Sequence, residues 1–156
     1  MFMNWHSDLA VKDKGEKMKA YLKRFGSIGL LGKADSGHWV PMDTSPKVGG
    51  YSGATGPLEL VLIGLGGCTS MDVLSILAKK RVKVDDYEVE MEAGRTEEHP
   101  KTLQEIKIKF IFYGEGIKEK DVARAIELSE TKYCSVVAML RDHTTIETSF
   151  EIRPPR

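Results

Sequence analysis

Gly56-Pro57-Leu58-Glu59-Leu60-Val61-Leu62-Ile63-Gly64-Leu65-Gly66-Gly67-Cys68-Thr69-Ser70-Met71-Asp72-Val73 is the stretch on which the fold turns. Gly56 can cap a helix, Pro57 suits its first position, and Glu59 puts a carboxylate in the first turn, where the dipole favours it. From Leu58 to Lys79 almost nothing is charged except Glu59 and Asp72, and apolar residues surround the axis. The pattern predicts a helix over Leu58 to Lys79, buried on most sides. Lys79-Lys80-Arg81 then supplies positive charge at its C-terminal end.

Working outward, the flanks read as strands. Lys19 to Leu31 mixes alternation with Gly and suits a strand and a turn, and His38 to Met42 suits a short strand whose Pro41 belongs at a sheet edge or at the strand's end. Asp43 to Gly56 is a loop, with five Gly or Pro and four Ser or Thr among fourteen residues. Downstream, Tyr87–Ala93 and Ile106–Tyr113 alternate in polarity, joined by the polar turn Arg95–Lys101. Val122, Ala125, Ile126 and Tyr133 recur at helical spacing over Lys118 to Lys132. Cys134 opens a second short helical run, and Thr144 to Ile152 alternates as a closing strand. This order predicts an α+β fold with antiparallel sheets around a central helix. So apolar a helix needs more cover than one such chain offers, which points to a homodimer.

The chain has 156 residues, expected to form one domain over 19–156 behind a polar extension, residues 1–18, that is helical or mobile. Lys+Arg and Asp+Glu both total 23, so nothing steers the protein toward nucleic acid or an anionic membrane surface. The N-terminus lacks the apolar core of a signal peptide, and the run Leu58–Leu65 is shorter than a membrane span. A cytoplasmic protein is expected, with no metal or other cofactor, because four His and two Cys are too few and scattered for a structural zinc site.

In a reducing compartment two thiols are reactive or simply buried rather than a permanent staple. Three Gly in four positions before Cys68 cost roughly 1 kcal/mol each relative to Ala. They imply either close approach of another backbone or a local break, after which Cys68 begins a new turn whose free N–H groups stabilise a thiolate. Thr69 and Asp72 form a capping-box-like pair that suits the second reading. Cys134 stands between two helical runs; a helix N-terminus there and Lys132 nearby would lower its pKa, although the segment alone favours a packed cysteine beside Tyr133.

Glu59 lies nine residues before Cys68, on the opposite helix face and about 13 Å away along the axis, so it suits the dipole better than the thiol. Asp72, four residues after Cys68, shares its face and would raise the thiol pKa unless a cation sits nearby. Arg95, Arg24, Lys132 and Arg141 are candidates. His38, His99 and His143 have no metal-ligand spacing.

Together, residues 56–73 and Lys132-Tyr133-Cys134-Ser135-Val136 resemble the OsmC/Ohr family, closest to its OsmC-like branch, which also shows a turn like Arg95–Pro100 and a stretch like Ser36–His38. The likeness runs from about Lys19 to Ile152. It implies an intertwined α+β homodimer with active sites at the subunit interface. It also implies thiol-dependent reduction of organic hydroperoxides, with Cys68 as the peroxidatic and Cys134 as the resolving cysteine. A dithiol such as a lipoylated protein would restore the thiols, without metal or flavin. One departure stands out. The Ohr enzymes hold their attacking thiolate with an Arg–Glu pair whose Glu directly follows the helix-start Pro; here that position is Leu58, with Glu59 one residue later. The resemblance therefore leaves two outcomes. Either the machinery is rebuilt, with Arg95 of one subunit reaching Cys68 of the other, or the protein is a non-catalytic redox-responsive or small-molecule-binding dimer.

Overall fold

The computed structural model describes residues 17–156, so most of the 1–18 extension lies outside the described residues. The chain divides into two compact units, residues 1–56 and 57–156, and the single domain expected over 19–156 draws on both.

The first unit holds an antiparallel meander of β1 (Ala20–Phe25), β2 (Gly29–Ala34) and β3 (Val40–Met42). Gly26, with φ +57°, makes the turn between β1 and β2 that a side chain would strain. Pro41 cannot donate to a ladder, and β3 accordingly lies at the sheet edge. On the exposed surface Trp39 is flanked by Lys23 and Lys33, each ammonium 4.9 Å from the ring centroid. The Gly/Pro-rich segment after β3 is organised by Asp43, 5% exposed. Its carboxylate accepts the backbone N–H groups of Thr44 at 2.8 Å and of Tyr51 and Gly53 at 3.0 Å.

In the second unit α1 (Pro57–Lys79) is followed by the hairpin β4 (Asp86–Arg95) and β5 (Leu103–Tyr113). Then come α2 (Glu119–Leu128), a five-residue π-helical turn (Ser129–Tyr133), α3 (Ser135–Leu140) and β6 (Thr145–Arg153). The sheet order is β4-β5-β6. The expected all-antiparallel pairing fails at one place: β6 runs parallel to β5, in register from Glu105↔Thr145 to Tyr113↔Arg153. The cause is the connection, since α2 and α3 carry the chain back across before β6 begins, which is the crossover a parallel pair requires. The α+β class itself holds, with two three-stranded sheets and a central helix.

The core lies between α1 and this sheet. Leu65, Val73 and Leu77 of α1 meet Ile106, Ile108, Phe110 and Phe112 of β5, with Val122 and Ala125 of α2 and Val137 of α3 closing the side. Gly66 is where close approach is needed: a Cβ there would stand 2.5 Å from Met91 Sδ on β4. A Cβ on Gly64 or Gly67 would meet nothing.

Two expectations for α1 need correction. Burial on most sides is not found among the described residues: only one stripe of α1, Leu65, Gly66, Thr69, Val73 and Leu77, is buried. Val61, Ile63 and Met71 are exposed. And α1, at 23 residues, is by length and composition apolar enough to cross a membrane, because Gly, Ser and Thr do not interrupt it as charges would. A core helix passes the same test, and one face of α1 is packed against β5.

Candidate active site

The two cysteines meet. Cys68 sits at the middle of α1, half-buried, and Cys134 lies in the N-cap of α3, 2% exposed; both are free thiols. Their sulfurs and a carboxylate oxygen of Asp72 all lie within 4.8 Å of one another. What brings Cys134 there is the π-helical turn after α2. It re-aims the chain, Cys134 turns extended (φ −70°, ψ 107°), and α3 restarts against α1.

The helix break imagined before Cys68 does not occur. The helix is continuous through Gly66 and Gly67, and Thr69 does not cap anything: its hydroxyl donates back to the carbonyls of Leu65 at 3.0 Å and Gly66 at 3.1 Å. Ser70 likewise donates to the Gly66 carbonyl, and its oxygen accepts the Tyr87 hydroxyl at 3.2 Å. Of the two explanations for the glycines, close approach holds for Gly66, whose neighbour is the Met91 side chain rather than a backbone.

Cys134 also differs from expectation. Its sulfur accepts the Val137 N–H at 3.4 Å, as an N-cap should. Yet burial dominates, and with the neighbouring Cys68 it pushes the Cys134 thiol up to about 11, not down. The backbone N–H groups of α3 pull the other way and lose. Cys134 therefore keeps its proton near neutral pH and can donate it toward Cys68 Sγ.

No cation answers Asp72 among the described residues. Instead Ser129, 1% exposed in the π-helical turn, donates its hydroxyl to the Asp72 carboxylate at 3.1 Å. Ser129 is the site residue the sequence reading missed; only the π-helical turn aims it at α1. Three of the candidate cations have other partners within the second unit. Arg95, exposed at the end of β4, donates to the Lys101 carbonyl at 3.3 Å. Arg141 bonds the Glu130 carbonyl, and the Lys132 ammonium lies 5.3 Å from the Tyr133 ring centroid. Arg24 lies on β1 in the other unit. Glu59 lies in the first turn of α1. The two cysteines, expected to lie too scattered for a structural zinc site, are gathered with Asp72, although no His joins them among the described residues.

A cleft of about 370 Å³ opens beside Cys134, lined by Lys132, Tyr133, Ser135 and Arg141 among others. Two thiols at this separation can be joined by modest side-chain rotation. One is half-exposed and able to meet an oxidant, and the other is held protonated behind it.

Comparison with known proteins places the chain in a family. The OsmC-like protein model matches residues 49–149. Protein YhfA of Escherichia coli K12 is 42% identical over 137 residues, covering 86% of this chain and 98% of that protein. The crystal structure of a hypothetical protein from Aquifex aeolicus VF5 aligns with TM-score 0.80 and 32% identity, over 91% of this chain and 100% of that one. An organic hydroperoxide resistance protein OsmC from Legionella pneumophila shares the fold, with TM-score 0.67 at 13% identity over 87% and 97% of the two chains. This chain belongs to the OsmC-like protein family.

Proposed function

We propose that the protein is a cytoplasmic, thiol-dependent peroxidase that reduces organic hydroperoxides in oxidative-stress defence. The observation that carries this reading is the juxtaposition of Cys68 and Cys134, distant in sequence, as free thiols within 4.8 Å. The Cys68 thiolate attacks the terminal oxygen of ROOH; the O–O bond breaks, the alcohol ROH leaves after taking a proton, and Cys68 becomes a sulfenic acid. The Cys134 sulfur then attacks Cys68 Sγ, expelling water and forming the disulfide. A dithiol reductant, such as a lipoylated protein, returns both thiols by exchange. The fold shared with the Legionella hydroperoxide resistance protein supports the substrate class. Both cysteines belong to the same apolar cluster as Leu62, Leu65 and Val137, which is the ground for proposing organic hydroperoxides over hydrogen peroxide. A homodimer is part of the proposal. Leu60, Ile63, Gly64, Gly67 and Met71 lie at helical spacing on the side of α1 opposite its buried stripe, an apolar surface that a second copy would cover.

Stopped-flow mixing of reduced protein with cumene hydroperoxide tests this. Thiol consumption should far outpace that of a free thiol, Cys68→Ser should abolish it, and Cys134→Ser should accumulate a sulfenic acid. A wild-type rate no faster than a free thiol's would sink it.

A second reading has its own observation. Asp72 places a carboxylate, rather than an arginine, beside Cys68 within the chain. An anion there opposes thiolate formation, and this favours a redox-responsive or small-molecule-binding dimer with slow thiols. Replacing Asp72 with Asn separates the two: faster thiol consumption in the variant would favour the slow-thiol reading, whereas unchanged or slower consumption would favour the peroxidase.

A further inference from the structure

Cys68 and Asp72 stand one turn apart on a common face of α1, the i, i+4 spacing that lets two side chains share one ligand. Cys134 reaches the same point from α3. The three donor atoms, two sulfurs and one carboxylate oxygen, lie within 4.8 Å of one another. Around a tetrahedral zinc, with bonds of about 2.0–2.3 Å, donor atoms stand roughly 3.3–3.8 Å apart. The difference is on the order of 1 Å per pair, within the range that side-chain rotation can move a donor atom.

We propose that the reduced protein binds one thiophilic divalent cation of the zinc class through Cys68 Sγ, Cys134 Sγ and the Asp72 carboxylate, with the fourth position left to solvent or a ligand. Three observations carry it. The donor set is that of a soft or borderline metal, since thiolates select zinc over magnesium or calcium. The site is short of positive charge: the Asp72 carboxylate forms no ion pair among the described residues and meets the neutral Ser129 hydroxyl, and a dication would supply the counter-charge. The supporting contacts already exist, because the Ser129 hydroxyl orients Asp72 at 3.1 Å and the Val137 N–H meets Cys134 Sγ at 3.4 Å. Binding converts two thiols and one carboxylate into two thiolates and one carboxylate on the metal, releasing two protons and leaving the redox state of sulfur unchanged.

The site exists only in the reduced protein. A Cys68–Cys134 disulfide consumes two of the three ligands, so oxidation expels the cation and the cation blocks oxidation. Only that last consequence rests on the peroxidase reading.

Titration of the reduced protein with Co²⁺, read by the thiolate-to-cobalt charge-transfer absorption, tests the inference. We expect one equivalent per chain, no band for Cys68→Ser, Cys134→Ser or the peroxide-oxidised protein, and binding about tenfold or more weaker in Asp72→Asn. Wild-type protein alone should release about two protons per Zn²⁺ near neutral pH, a readout that needs no variant to fold. Absence of the band in the reduced wild type, a band retained by Cys134→Ser, or Asp72→Asn binding as tightly as wild type would each overturn the site, as would metal uptake without proton release. Peroxide turnover is measured separately on metal-free protein. Turnover without metal binding removes this inference and leaves the enzyme; metal binding without turnover does the reverse.

Discussion

At Cys134 two physical effects compete at one atom. The N-terminal amides of α3 favour a thiolate, and near-complete burial disfavours it; burial wins, and the thiol is pushed up to about 11. A protonated thiol is a poor nucleophile, so Cys134 should be alkylated far more slowly than Cys68 at neutral pH, its rate climbing with pH toward about 11. Peptide mapping after timed iodoacetamide treatment checks this, and equal labelling of the two cysteines at pH 7 would contradict it. Asp43 shows the opposite case. Backbone N–H groups of Gly53 and Thr44 hold its carboxyl below the ordinary value of 3.8. Because the folded pKa is the lower one, this contribution to stability is present above the unfolded value and is lost as pH falls through the folded one. Asp43→Asn should therefore flatten the acid limb of the stability curve below about pH 4, measured by denaturation at a series of pH values. The type of residue at Asp43 said only that it belongs in a turn; which amides it would gather depended on how residues 44–53 close around it.

Among the elements, α1 was the most legible from sequence. Pro57, Glu59 and the lysines at 79 and 80 mark its ends by local rules that need no partner. Its buried stripe is a tertiary matter, and Leu65, fully buried against the sheet, shows the cost of disturbing it. Leu65→Ala should destabilise the fold by about 2–5 kcal/mol in urea denaturation. The π-helical turn between α2 and α3 was not legible. Sequence periodicity ran unbroken to Tyr133, and nothing in Ser129–Tyr133 announces an extra residue in the turn. That turn nevertheless presents Ser129 to Asp72. Ser129→Ala should cost about 0.5–1.5 kcal/mol through the lost hydrogen bond, and a smaller effect would mean that solvent takes over Asp72.

For the molecule as a whole, the feature with the widest consequence is the uncovered apolar side of α1. Met71 is 75% exposed and Ile63 59%. An apolar stripe of this kind marks an interaction surface, and in the proposed homodimer Met71→Glu or Ile63→Glu should shift sedimentation from dimer to monomer. Circular dichroism should remain near wild type, because neither side chain is buried within the chain. Unchanged sedimentation would place any self-association elsewhere.

By itself the sequence determined the α+β class, the central helix, the alternating strands and the two cysteine-bearing segments that mark the family. These are properties of short windows, where periodicity, caps and turn residues act within a few positions of each other. Only the tertiary structure decided that β6 lies parallel to β5 and that Gly66 makes room for Met91. It alone decided that Ser129 faces Asp72, and that Cys134 holds its proton. Each of these depends on which atoms from distant segments exclude water from one another, and desolvation and contact across the fold are not encoded in any single window of residues.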